Sequence, residues 1–184
     1  MLRKVKQSLW LLLVILLGAL FVMHRGNLLV AKSTHARISA SDFASSTSYR
    51  VLDVVDGDTI DVEVYGKRVR IRLLGINTPE TVDPRKPVEC FGTEASARAK
   101  ALLMGTSVRV ETDRTQGLFD KYGRVLAYIY LPDGTSVNKE MIMEGYAHEY
   151  TYRYPYKYQK EFKAAERAAH DGGSGLWSTG VCSR

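Results

Sequence analysis

Cysteine is almost absent from this 184-residue chain, which carries only Cys90 and Cys182. Two cysteines so far apart match no structural zinc motif and cannot make a cysteine-rich scaffold. Histidine is nearly as scarce, and beyond residue 48 only His148 and His170 remain. Neither belongs to an HExxH-like pair, no Ser-His-Asp arrangement is visible, and no phosphate-binding P-loop occurs. Excess charge is also missing where it would count. The formal net charge is +6, but residues 1–48 hold six Lys/Arg against one acid, Asp42, leaving 20 basic and 19 acidic residues for 49–184. Bulk charge is therefore no argument for a nucleic-acid partner, and only the local placement of Arg and Lys can make one. There is no internal repeat.

A long apolar run occurs once, over residues 9–23, after a basic start (Arg3, Lys4, Lys6). That is the pattern of an export signal or a short N-terminal membrane anchor, and residues 1–25 are assigned to one or the other. Both place the rest of the chain outside the cytoplasm, secreted or held at the membrane. No cysteine lies near enough for lipid attachment. Residues 26–48, rich in Ser, Ala and Thr and without periodicity, are expected to be a flexible tether. The globular domain is expected over 49–178, followed by a tail, 179–184. In an oxidising compartment Cys90 and Cys182 would pair and stabilise by ~4 kcal/mol or more; two unpaired thiols are the alternative.

From Tyr49 onward the pattern is one of short strands. Arg50–Val55, Ile60–Tyr65 and Lys67–Leu74 form a predicted meander, the last alternating basic and apolar residues as a strand with one buried face does. Thr81–Glu89 carries two of the chain's five prolines and is a loop. Gly92 to Leu103 is a helix with Ala95, Ala99, Leu102 and Leu103 on one face. Val108–Thr112 and Val125–Leu131 are two more strands, Asn138 caps a short helix through Glu144, and Lys157–His170 is an amphipathic helix. Leu176-Trp177 then folds back onto the core. This order predicts an α+β fold, a five-stranded barrel of the OB type with about three helices.

The chemistry-bearing residues cluster around this frame. Asp58 follows a Gly turn, while Asn77 and Glu80 end a strand. An all-oxygen donor set suits a hard cation, Ca²⁺ or Mg²⁺. Arg72 and Arg124 flank these groups, and two guanidinium forks are what a phosphodiester needs for clamping and for charge stabilisation in the transition state. Glu80 is then available to position or deprotonate water. Each piece alone has a bland reading: a hairpin turn, a solvated charged loop, tyrosine packing. Their co-occurrence in order argues against it.

Asp56-Gly57-Asp58-Thr59, the stretch Arg72 to Glu80 (RLLGINTPE), and Asp120-Lys121-Tyr122-Gly123-Arg124 with the following LAYIY resemble the signature blocks of the staphylococcal (micrococcal) nuclease family. Gly92 to Ser96 (GTEAS) and Gly175-Leu176-Trp177 fit the same family, so the likeness runs from about Arg50 to Trp177. The resemblance implies an OB-fold and a Ca²⁺-dependent phosphodiesterase acting on DNA and RNA with little sequence preference, leaving 3′-phosphate ends. It implies Asp58, Asn77 and the Thr78 carbonyl as metal ligands, Glu80 acting on the attacking water, and Arg72 and Arg124 on the scissile phosphate. Lys121 and Tyr122 would contact a terminal phosphate. The sequence departs from the pattern twice. Asn77 stands where the family has Asp, which should weaken metal binding by removing a charge. The family's base-stacking tyrosines fall, without gaps, at Thr151 and Arg153, with Tyr150, Tyr152 and Tyr154 beside them as substitutes; Tyr152 and Tyr154 are taken as substrate-binding. The rival reading is a catalytically impaired module that binds nucleic acid or protein. No protein partner is evident, and a monomer is expected.

Overall fold

The computed structural model describes residues 38–43, 46–85 and 87–182. The apolar run 9–23, its signal or anchor assignment and any membrane contact lie outside them, as does most of the expected tether. Among the described residues no helix is long and apolar enough to cross a membrane.

Five strands close a barrel: β1 (Ser48–Asp56), β2 (Thr59–Val64), β3 (Lys67–Leu73), β5 (Ser107–Thr112) and β6 (Val125–Tyr130), in the order β1-β2-β3-β6-β5. The alternation in Lys67–Leu73 is realised directly. Val69, Ile71 and Leu73 turn into the core while Lys67, Arg68 and Arg70 face outward. The barrel closes through a parallel β3–β6 ladder, Ile71 opposite Val125 and Leu73 opposite Ala127. Ile60, Val62, Ile71, Val108, Val110, Val125 and Ile129 are fully buried inside. This is the five-stranded OB barrel expected, with three helices: α1 (Gly92–Leu103), α2 (Val137–Met143) and α3 (Gln159–Asp171).

Four features differ from the expectation. A further pair of two-residue strands, β4 (Ile76–Asn77) and β7 (His148–Glu149), joins the strand end to the segment after α2, Asn77 pairing with His148. Strands this short carry no periodicity to read. Second, Asn138 is not the cap of α2. Ser136 is, accepting from the Lys139 N–H at 3.4 Å. Asn138 lies inside the helix, fully buried, where its Oδ1 accepts from the Ile129 N–H (2.9 Å) and its Nδ2 donates to the Leu74 carbonyl (2.8 Å). Tertiary partners outweigh the residue's local capping preference. Third, α3 starts at Gln159 rather than Lys157, because the Lys157 N–H is drawn to the Asp113 carboxylate at 2.8 Å.

The fourth concerns the tether. The packed body begins at Ser39 rather than at Tyr49. Ala40–Asp42 form a 3₁₀ turn and Phe43 is buried, its ring 5.6 Å from that of Tyr49. The Tyr49 hydroxyl donates to the Asp42 carbonyl, and that of Tyr65 to the Asp42 carboxylate. An aromatic within a Ser/Ala-rich stretch has found an apolar seat. At the other end Cys90 and Cys182 are disulfide-bonded, with Cα atoms 5.8 Å apart, so the expected tail is covalently tied to the body. The fold-back of Leu176-Trp177 is present. Leu176 N–H donates to the Gly145 carbonyl at 2.9 Å, and the Trp177 ring lies between those of His148 and His170.

Candidate active site

One end of the barrel opens into a cleft of about 880 Å³. Its walls are the β1–β2 turn, the strand end Leu73–Glu80, the excursion Phe119–Arg124 and the segment Tyr150–Tyr156. Asp58, Arg72, Asn77, Thr78 and Glu80 all face this space, and so do Lys121, Tyr122, Arg124 and Tyr152. Tyr154, expected among the substrate-binding residues, is not part of the wall; Tyr150 and Arg153 are. The segment is not a regular strand and bends at Arg153-Tyr154, so no simple alternation decides which side chains meet the cleft.

Arg72 is the penultimate residue of β3 and points back under its own loop. Its Nη1 donates to the carbonyls of Leu73 (2.7 Å) and Ile76 (2.8 Å), and its Nη2 reaches Asp58 Oδ2 (2.8 Å) and Asn77 Oδ1 (3.2 Å). The loop can turn so tightly because Gly75 has φ +76°, and a Cβ there would sit 2.6 Å from the Tyr156 ring. Asp58 is buried. One oxygen accepts from the Thr59 hydroxyl, and the other from the Thr78 N–H as well as from Arg72. The β1–β2 turn and the β3 end are thereby locked together.

Glu80 is held differently. Its Oε1 accepts three backbone N–H groups, from Thr81 (2.9 Å), Val82 (2.7 Å) and Asp83 (3.1 Å). Those amides, Val82 foremost, hold its carboxyl below the usual range, so it is ionised at neutral pH. Among the described residues nothing donates to Oε2. One oxygen is saturated by structure and the other is open for water.

Asp120 organises the opposite wall. It accepts from the Tyr122 and Arg124 N–H groups, both at 2.9 Å, and from Arg124 Nε at 2.7 Å. Arg124 is thus anchored by Nε, while its Nη groups donate to no described residue. Tyr122, largely exposed, packs beneath Lys121 and Arg124.

Asp56 belongs to the site, although sequence reasoning took it only as part of a motif. Burial and the adjacent Asp58 push its carboxyl up to about 6. Arg72 pairs with Asp58 there, yet the two neighbouring carboxylates still oppose each other's ionisation. Together with the Asn77 amide oxygen and the Thr78 carbonyl they are an all-oxygen set that fits a hard dication. Among the described residues no group of three or more His, Cys, Asp or Glu side chains gathers as a metal cluster.

A profile described as "Staphylococcal nuclease homologue" matches residues 70–179. The thermonuclease of Staphylococcus hyicus is 36% identical over 135 residues, covering 73% of this chain and 78% of that protein. The thermonuclease of Staphylococcus intermedius is 46% identical over 100 residues, 54% of this chain and 58% of that protein. Endonuclease YncB of Bacillus subtilis (strain 168) is 39% identical over 125 residues, 67% of this chain and 58% of that protein. The extent of the profile match and of the likeness to the Staphylococcus hyicus thermonuclease shows that this chain, with its five-stranded barrel, belongs to the staphylococcal nuclease family.

Proposed function

We propose that the cleft hydrolyses phosphodiester bonds of DNA and RNA with little sequence preference, dependent on Ca²⁺ and leaving 3′-phosphate ends. Family membership makes the chain a nuclease and a hydrolase. The observation that carries the finer reading is the meeting, in one cleft, of a carboxylate with a single open oxygen and two differently anchored guanidinium groups.

The geometry supports a role for each group. Glu80 Oε2 orients a water and accepts its proton, because Oε1 is already committed to three amides. Arg124, fixed through Nε, offers its Nη donors to the scissile phosphate. Arg72, held by two backbone carbonyls, adds a second positive charge that costs no reorganisation as negative charge develops. Lys121 and Tyr122 receive the terminal phosphate, and Tyr152 offers an exposed ring for base stacking. Asp58, Asn77 and Thr78, with Asp56 behind them, would hold Ca²⁺. When bound, the ion would polarise a phosphoryl oxygen and neutralise its charge. The same reading puts the domain outside the cytoplasm, secreted or tethered, as a monomer; the disulfide supports that compartment.

Denatured DNA incubated with the purified protein in Ca²⁺, Mg²⁺ or EDTA tests this. Cleavage in Ca²⁺ alone, with 3′-phosphate ends, is the expected result. DNA binding without cleavage in any metal would favour the impaired binding module instead. Restoring a charge with Asn77→Asp should lower the Ca²⁺ concentration for half-maximal cleavage by about 3–10-fold, since affinity of such sites follows ligand charge. An unchanged Ca²⁺ dependence would show that residue 77 is not a ligand.

A further inference from the structure

We propose that the Cys90–Cys182 disulfide and Glu89 are positioning residues for Glu80, so that full nuclease activity needs the oxidised chain. This rests on the reading that Glu80 acts in cleavage. The loop that follows Glu80 returns to it. The Glu80 N–H donates to Glu89 Oε2 at 3.0 Å, and the Glu89 N–H donates to the Glu80 carbonyl at 2.9 Å. Glu89 thus grips the backbone of Glu80 in both directions and defines the base of the loop.

The next residue is Cys90. It occupies a strained-looking but well-tied corner: Phe91 adopts φ +67°, the Gly92 N–H donates to the Glu89 carbonyl, and the Phe91 ring stacks on Tyr146 at 5.4 Å. Gly92 lies so close to the strand end that a Cβ would stand 3.1 Å from the Glu80 and Pro79 carbonyls and 2.7 Å from Thr81 Cγ2. Residues 89–92 and 79–81 are therefore packed directly against each other. Through Cys182 that corner is bonded to the C-terminal segment, itself held to the α2 end by Leu176 and Gly145.

The loop between these ends is less well anchored: Val82 and Val88, its apolar residues, are both exposed. The covalent bond and the Glu89 grip tie the base of that loop to Glu80. A catalytic group displaced by about 1 Å can lose on the order of 10²-fold in rate, so loosening this base should reach Glu80.

The test uses the full chain, oxidised, treated with dithiothreitol, or carrying Cys90→Ser with Cys182→Ser. The reductant is oxidised to its cyclic disulfide as Cys90 and Cys182 become thiols. At a temperature where circular dichroism shows all forms folded, reduction or substitution should lower kcat about tenfold and change KM less than twofold. In a Glu80→Gln background the same reduction should leave the residual rate unchanged, because the effect travels through Glu80. Hydrogen exchange gives a readout independent of cleavage: the Thr81, Val82 and Asp83 amides should exchange faster after reduction, and faster again with Glu89→Ala. A folded, reduced protein with undiminished kcat overturns the proposal. So does unchanged exchange at those three amides, even if the oxidised protein proves not to cleave DNA, a result that would separately defeat the nuclease reading of Glu80.

Discussion

Glu80→Gln is expected to lower Ca²⁺-dependent cleavage by about 10²–10⁴-fold while leaving the loop in place, the range set by loss of a general base. The side-chain oxygen of Gln can still accept from the Thr81, Val82 and Asp83 amides that Oε1 now holds. What changes is the group facing the cleft. An amide NH₂ there donates and cannot take a proton from water. Glu80→Ala should lose as much rate and, in addition, leave those three amides without their acceptor. Steady-state kinetics on denatured DNA, with exchange at the same amides, separates the two effects. A Gln variant within tenfold of the wild-type kcat would mean that another group activates water.

The largest effect on stability is expected at Asn138. Its side chain is fully buried and bridges three elements: it accepts from the Ile129 N–H in β6, donates to the Leu74 carbonyl before the site loop, and rides on α2. Asn138→Ala leaves that N–H and that carbonyl unpaired in the core, and should cost about 2–4 kcal/mol. For a body of this size the Tm should fall by about 10 °C. Because Leu74 lies two residues beyond Arg72, at the start of the loop that Arg72 braces, cleavage should also weaken at temperatures where the variant is folded. A loss below about 1 kcal/mol in urea titration would show that water enters and satisfies the stranded groups.

The contrast between Glu80 and Asn138 marks the boundary of what can be read from residues alone. Period-two alternation in Lys67–Leu73 and the helical spacing of Ala95, Ala99 and Leu103 are local, because strands and helices impose them wherever a buried face exists. The barrel and the span of α1 followed from them directly. Asp58, Arg72, Glu80 and Arg124 stand out as candidates in the sequence because motif blocks place reactive side chains at strand ends, where a scaffold can aim them. The cleft into which they converge is that scaffold's doing.

Tertiary structure decided everything that depends on who lies opposite whom. Asn138 is a capping residue by local chemistry and a core bridge in the fold. Asp56 is an ordinary turn residue until burial beside Asp58 makes its charge costly. Tyr152 faces the cleft and Tyr154 does not, because the chain bends at Arg153-Tyr154 instead of continuing as a strand. Cys90 and Cys182 left pairing and free thiols equally open; a Cα separation of 5.8 Å between residues 92 apart in sequence is a property of the closed chain alone. Local propensity acts within a few residues and is written in them. Pairing, burial and proximity act across the whole chain, so they exist only once it has folded.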